Sequence, residues 1–265
     1  MQKNVTTNDG CKIHYRYYPK PNKPTLVLSN SLGTTVAMWE PQLAKLKENF
    51  SVLLYDMRGH GLSSVMPGGY SLDRLGSDVV VLLDHLELEQ VHFCGLSIGG
   101  MLGQWLSVVH PQRLHSLVLA NTSAYAGPAD FWRERLSGIE RDGLQSTWPA
   151  VRQRWVSDAF AEQSPNSVAM LKKMFEQMDQ QGYISTCAAV RDMDLRNVVI
   201  LNKLPTLIIA GRYDIASPLS TSEYLLSQCQ QAKLIVLEAG HLSNIEQAEK
   251  FNQAIIEFFN SQFDV

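Results

Sequence analysis

Ser97 stands in Gly95-Leu96-Ser97-Ile98-Gly99, a G-x-S-x-G arrangement preceded by the apolar run Val91-His92-Phe93-Cys94 and followed by a helical pattern. In a strand–turn–helix setting this arrangement lifts a serine hydroxyl clear of a sheet, where it can attack a carbonyl carbon. Flanking glycines leave room where neighbouring backbone must approach closely, and the N-terminus of the following helix favours developing negative charge. A serine hydroxyl needs a base to take its proton at neutral pH. Of the seven histidines, His14 and His92 fall in strand-like segments, His85 in a helix, and His110 and His115 beside a helix end. His241 differs: it follows an apolar run through Glu238-Ala239-Gly240, at the strand edge where catalytic groups of such sheets gather. It is the expected base. His60 competes, but its loop, Asp56-Met57-Arg58-Gly59-His60-Gly61, reads first as turn structure.

A carboxylate should fix the imidazole tautomer and stabilise the imidazolium. Asp214, in Gly211-Arg212-Tyr213-Asp214, is the expected one, and the chain order Ser97, Asp214, His241 suits this kind of sheet. One strand earlier the corresponding position holds Asn121 rather than an acid. Asp56 is the alternative, with a pairing to Arg58 as its more ordinary role. An oxyanion needs N–H donors; those of Ile98, directly after the nucleophile, and Leu32, in Asn30-Ser31-Leu32-Gly33-Thr34, are expected by position.

The elements that must hold these groups are legible as alternating apolar runs and helical patterns, which predict an α/β fold with a mostly parallel sheet flanked by helices. Expected strands are Thr25 to Ser29, Ser51 to Tyr55, Val91 to Cys94, Leu114 to Ala120, Thr206 to Ala210 and Leu234 to Leu237. Val5 to Thr7 and Lys12 to Tyr18 flank Asn8-Asp9-Gly10, a hairpin signal at the sheet edge. The spacing of Leu72, Leu75, Val79, Leu82, Leu83 and Leu86 predicts a helix over Ser71 to Leu86, and others run from Ile98 to about Val109 and from about Gln247 to Phe259. Roughly 80 residues separate the strand ending at Ala120 from the one starting at Thr206, too many for an ordinary connection. Helical patterns around Phe131 to Ile139, Trp148 to Phe160, Ser167 to Met178 and Ile184 to Met193 read as an inserted helical cap. The division expected is core 1–122, cap 123–195 and core 196–265.

Bulk properties narrow the partners. A chain of 265 residues, 45% apolar and 18% charged, has ample material for a large core. Its net charge of −3 gives no attraction to nucleic acid or anionic membrane. Met1 to Asp9 lacks the apolar stretch of a signal peptide, and no apolar run approaches the ~18 residues that span a bilayer. The four cysteines are scattered without metal-ligand spacing, so reduced thiols in a cytoplasm are expected. Neither metal nor organic cofactor is implied.

With these segments in view, the chain resembles the α/β-hydrolase superfamily over nearly its whole length. More narrowly it is similar to the 3-oxoadipate enol-lactonases. Leu28-Ser29-Asn30-Ser31-Leu32-Gly33-Thr34 with Met38-Trp39 and Pro41-Gln42 carries that likeness, Asn30-Ser31 replacing the His-Gly of many superfamily members. So do Cys94-Gly95-Leu96-Ser97, Leu119-Ala120-Asn121-Thr122, Gly182-Tyr183, Cys187-Ala188-Ala189-Val190-Arg191-Asp192 and Ala239 to Gln247. Ile98 stands where Met is common, and Ala216-Ser217-Pro218 replaces a more usual Thr-Pro ending; neither change removes a catalytic group. The resemblance implies a triad of Ser97, Asp214 and His241 and a small lactone substrate bearing a carboxymethyl group. Trp132, Trp148 and Trp155 are then candidates to line a pocket, Trp132 foremost. Arg133, Arg135 and Arg191 are candidates to meet the substrate carboxylate, with Arg133 and Arg191 taken first. Another esterase, a C–C bond hydrolase, a cofactor-free haloperoxidase or a hydrolase-like receptor would share the same framework. A haloalkane dehalogenase would need a carboxylate at position 97.

Overall fold

The computed structural model describes residues 2–261, so Met1 and residues 262–265 lie outside it. Eight strands form one sheet: β1 (Gln2–Thr6), β2 (Lys12–Tyr18), β3 (Thr25–Ser29), β4 (Ser51–Tyr55), β5 (Val91–Leu96), β6 (Leu114–Ala120), β7 (Thr206–Gly211) and β8 (Ala232–Leu237). Their order is β1-β2-β4-β3-β5-β6-β7-β8. β1 and β2 form the expected hairpin, β2 runs antiparallel to β4, and all later pairs are parallel. Every residue of β3, β4, β5 and β7 is buried, as is most of β6. That explains why these segments are continuous Val/Ile/Leu runs rather than alternating ones. Each such side chain removed from water contributes about 1.5–3 kcal/mol before entropy is counted.

Eleven α-helices complete the described chain. They are α1 (Glu40–Asn49), α2 (Leu72–His85), α3 (Ile98–Val109), α4 (Ala129–Asp142), α5 (Trp148–Trp155), α6 (Asp158–Gln163), α7 (Pro165–Glu176), α8 (Gln180–Asp192), α9 (Leu219–Gln228), α10 (Ser243–Glu246) and α11 (Ala248–Asn260). Ser71 begins α2 as foreseen, its side chain accepting the Arg74 N–H. From β3 the chain crosses outward to β4, then returns past β3 to β5 and continues the other way. Right-handed crossovers in opposite directions put α1 on one face and α2 and α3 on the other. Accordingly α1 packs with α11, and α2 with α3. The reversal lies between β3 and β5, so the crevice beyond their C-terminal ends is where a ligand is expected.

Helices α4 to α8 fill the interval between β6 and β7. One difference from the sequence pattern stands out there. The expected helix from Trp148 to Phe160 is two helices, broken at Val156-Ser157. Val156 is extended, and Ser157 restarts the helix by accepting the Phe160 N–H on its side chain. A serine competing locally for backbone donors favours a cap over a helix interior.

Candidate active site

The turn from β5 into α3 carries Ser97 at φ 59°, ψ −118°, a conformation costly for a residue with a side chain. Two glycines allow it. A Cβ on Gly95 would lie 2.0 Å from the Gly99 carbonyl oxygen, and one on Gly99 would lie 2.3 Å from that of Ser29. The elbow is thus wedged against both its own helix and β3.

At the ends of later strands, Asp214 and His241 meet. His241 Nδ1 lies 2.8 Å from Asp214 Oδ2, and both residues are buried. The second carboxylate oxygen accepts the N–H groups of Ala216 and Ser217 at 2.8 and 2.9 Å. Asn121 Nδ2 donates to Oδ2 at 3.0 Å and to the Gly240 carbonyl at 3.3 Å, while its own oxygen accepts Ser243 Oγ. The Asp214 carboxylate is therefore immobilised by four donors. With Nδ1–H held by the carboxylate, the imidazole keeps Nε2 as an acceptor. Ser97 and His241 line one cavity of about 70 Å³, although no hydrogen bond joins them. Such bonds often tighten only with substrate in place.

The loop after β3 supplies a donor by elimination. Ser31 N–H donates to Met38 Sδ, Gly33 N–H to His60 Nε2 at 3.1 Å, and Thr34 N–H to the Ser31 carbonyl. Among the described residues this leaves the Leu32 N–H uncommitted, and Leu32 lines the cavity. Ile98 is the first residue of α3, so its N–H has no partner within the helix. Both can serve a developing oxyanion. Asn30 steadies the loop, accepting from Trp39 Nε1 and donating to the Tyr55 carbonyl.

His60 proves to be a buried support of that loop. Because Nε2 accepts the Gly33 N–H, its proton sits on Nδ1, facing the Arg58 carbonyl at 3.3 Å. Burial lowers its pKa from 6.5, and the same cause takes His92 down to about 4. A group kept neutral in the fold but protonated when unfolded stabilises above its unfolded pKa and loses that contribution as pH falls. The thermal midpoint is thus expected to drop below pH 6.5, with His60 contributing up to about 1.4 kcal/mol per pH unit. His60→Gln keeps an acceptor for Gly33 and should flatten the slope between pH 6.5 and 5, leaving the part due to His92. Equal slopes in parent and variant would exclude His60 as the source.

Asp56 does not pair with Arg58, contrary to the role considered from sequence. It takes His14 Nδ1 at 2.9 Å and the N–H groups of Val36 and Leu62. Arg58 turns instead to Asp78 and Asp9, which approach from α2 and the β1–β2 turn.

Trp132 and Trp155 line the cavity; Trp148 does not, and packs edge-to-face with Trp155 and at a tilt to Phe175. Arg133 is exposed and paired with Asp130, and Arg191 is paired with Asp192 beside a separate hollow. The arginines that line the cavity are Arg135 and Arg154. Neither has a carboxylate partner among the described residues. Arg135 lies over the Trp132 and Tyr183 rings, donates to Tyr183 Oη, and buries its Nε without a partner. Burial and the nearby Arg135 lower the pKa of Arg154. Sequence reading passed over Arg154 and did not put Arg135 first, yet helix period offered a signal. Trp132 and Arg135 are three apart and share a face, whereas Arg133 points about 100° away.

All four cysteines are free and buried. Among the described residues no group of three or more His, Cys, Asp or Glu is placed to hold a metal, and no helix is long and apolar enough to cross a membrane.

A mostly parallel sheet with a serine elbow beyond its central strand is the architecture of the α/β hydrolases. Residues 24–142 match the α/β-hydrolase fold family. The chain is 38% identical to 3-oxoadipate enol-lactonase 2 of Acinetobacter baylyi, over 96% of its own length and 95% of that protein's. The enol-lactonase of Burkholderia xenovorans LB400 superposes with a TM-score of 0.95 at 36% identity, covering 97% of this chain and 100% of that one. A hydrolase from Pseudomonas aeruginosa PA01 gives 0.94 at 43% identity, with 97% and 98% covered. The chain belongs to the 3-oxoadipate enol-lactonase family of α/β hydrolases.

Proposed function

We propose that this protein hydrolyses 3-oxoadipate enol-lactone to 3-oxoadipate, a step in aromatic-compound catabolism, through Ser97, His241 and Asp214. Ser97 Oγ attacks the ring carbonyl as His241 Nε2 takes its proton, and the N–H groups of Leu32 and Ile98 receive the oxyanion. His241 gives that proton to the ring oxygen, which leaves as an enol and tautomerises to the ketone, driving opening forward. Water activated by His241 then releases the acyl group from Ser97. Residues 123–195 act as a cap over a core made of 1–122 and 196–265, keeping bulk water out of the cavity while leaving room for the one hydrolytic water.

The observation that carries this reading is the pair of uncompensated guanidinium groups, Arg135 and Arg154, beside Ser97 and His241. A half-buried cation without an ion-pair partner is costly, and a substrate carboxylate relieves that cost with charge-assisted hydrogen bonds. A small cavity walled by Trp132, Trp155 and Tyr183 favours a compact ring over a long acyl chain.

Steady-state hydrolysis of freshly generated lactone, set beside p-nitrophenyl acetate, tests the assignment. The parent should turn over the lactone far faster. Arg135→Met should lower kcat/KM for the lactone by about 30-fold or more, the worth of one buried charge partner, and leave the uncharged ester within a few-fold. A parent that cleaves only the uncharged ester, or a variant that loses both substrates equally, overturns the lactone assignment.

A further inference from the structure

Glu246, the last residue of α10, is a half-buried carboxylate that the mechanism above does not use. Its Oε1 accepts the N–H of Gly240 at 2.8 Å and the N–H of Ser157 at 2.9 Å. Its Oε2 accepts Ser157 Oγ at 2.7 Å. No cation pairs with it among the described residues, so neutralising a charge is not what it does. Three donors converge on it from two different parts of the chain: the loop that presents His241, and the break between α5 and α6.

The same break holds the other side of His241. Leu242 N–H donates to the Trp155 carbonyl at 2.8 Å. The backbone on both sides of the imidazole is therefore fastened to Trp155-Val156-Ser157, directly at Leu242 and through Glu246 at Gly240. The fit leaves no slack. A Cβ on Gly240 would stand 2.7 Å from Glu246 Oε1 and 2.9 Å from the Ser157 nitrogen. Meanwhile Arg154 and Trp155, from the same turn of chain, form part of the wall of the cavity. The segment that touches the ligand space is thus the segment that fixes the imidazole.

We propose that Glu246 is a positioning residue, tying the α5–α6 corner of the inserted helices to His241 so that the cavity wall and the base keep one registration. This explains the helix break: an unbroken helix from Trp148 to Phe160 would commit the Ser157 N–H to its own helix and withdraw it from Glu246. The proposal rests on the reading of Ser97 and His241 as nucleophile and base, and not on which ester is the substrate. Displacement of a base by as little as an ångström costs about 100-fold in rate, so a clamp of this kind acts on kcat rather than on binding.

The test uses p-nitrophenyl acetate with the full-length protein, because that ester reports on Ser97 and His241 whatever the natural substrate is. Glu246→Ala should lower kcat by about 10- to 100-fold with KM within about three-fold of the parent. Glu246→Gln, whose amide oxygen still accepts both N–H groups and whose amide nitrogen can donate to Ser157 Oγ, should restore kcat to within about three-fold. Ser157→Ala, which removes one of the three bonds along with the cap on the Phe160 N–H, should fall between them, and it carries the test together with the Gln variant if Glu246→Ala does not fold. Parental kcat in Glu246→Ala or Ser157→Ala overturns the proposal. So does a Gln variant as slow as the Ala one, and so does a loss confined to KM or to the thermal midpoint. A parent with no Ser97-dependent turnover would overturn this proposal and the catalytic reading together, whereas failure on the lactone alone would leave this proposal standing.

Discussion

Ser97→Ala is expected to abolish hydrolysis, lowering kcat by about a millionfold while KM and the fold are retained. The residual rate over water should come from the oxyanion donors and substrate positioning alone. Alanine suits the position as well as serine does, because the positive φ of residue 97 is imposed by the wedged elbow and not by the hydroxyl. The thermal midpoint should therefore hold. Mass spectrometry after mixing with p-nitrophenyl acetate gives a second readout: an acetyl group on the parent, none on the variant. Turnover within tenfold of the parent, or acetylation of the variant at another residue, would remove Ser97 from the mechanism.

Asp214→Asn should cost about 10⁴-fold in kcat, for a reason visible in its four donors. Oδ2 receives His241 Nδ1 and Asn121 Nδ2, and Oδ1 receives two backbone N–H groups. An amide must turn its NH₂ toward one of these pairs. Facing Ala216 and Ser217, it would oppose donor to donor. Facing His241, it would force Nδ1 to accept and move the proton to Nε2, where it blocks removal of the Ser97 proton. The variant should also lose about 1–3 kcal/mol of stability from donors left unpaired. Measured together, kcat and unfolding by denaturant separate the two losses. A variant with near-parental kcat would show that the carboxylate does not govern the tautomer.

The chemistry of the site is readable from sequence because it is written locally. Gly95 and Gly99 flank Ser97, the strands that lead to Ser97, Asp214 and His241 are mostly apolar, and Ser97 follows its strand directly while Asp214 and His241 lie within four residues of the ends of theirs. Even the secondary donors follow from position, Ile98 as the first residue of a helix and Leu32 as part of the loop after β3. Short apolar runs, the 3.6 period and a few glycines are properties of adjacent residues, and they survive without knowledge of the rest of the chain.

What was illegible depends on how inserted helices are turned and on partners far apart in sequence. Composition offered several arginines near Trp132; only the packing of α4 and α5 brings Arg135 and Arg154 to the cavity and leaves Arg133 and Arg191 in surface pairs. Asp56 and Arg58 are two residues apart, yet each finds its partners on other elements. The break at Ser157 answers to Glu246, 89 residues later. Short-range sterics and hydrophobic period determined the sheet, the elbow and the order of the triad in the sequence itself. The tertiary structure alone decided which polar groups face one another, because a hydrogen bond or ion pair needs a geometry of a few tenths of an ångström that no local pattern encodes.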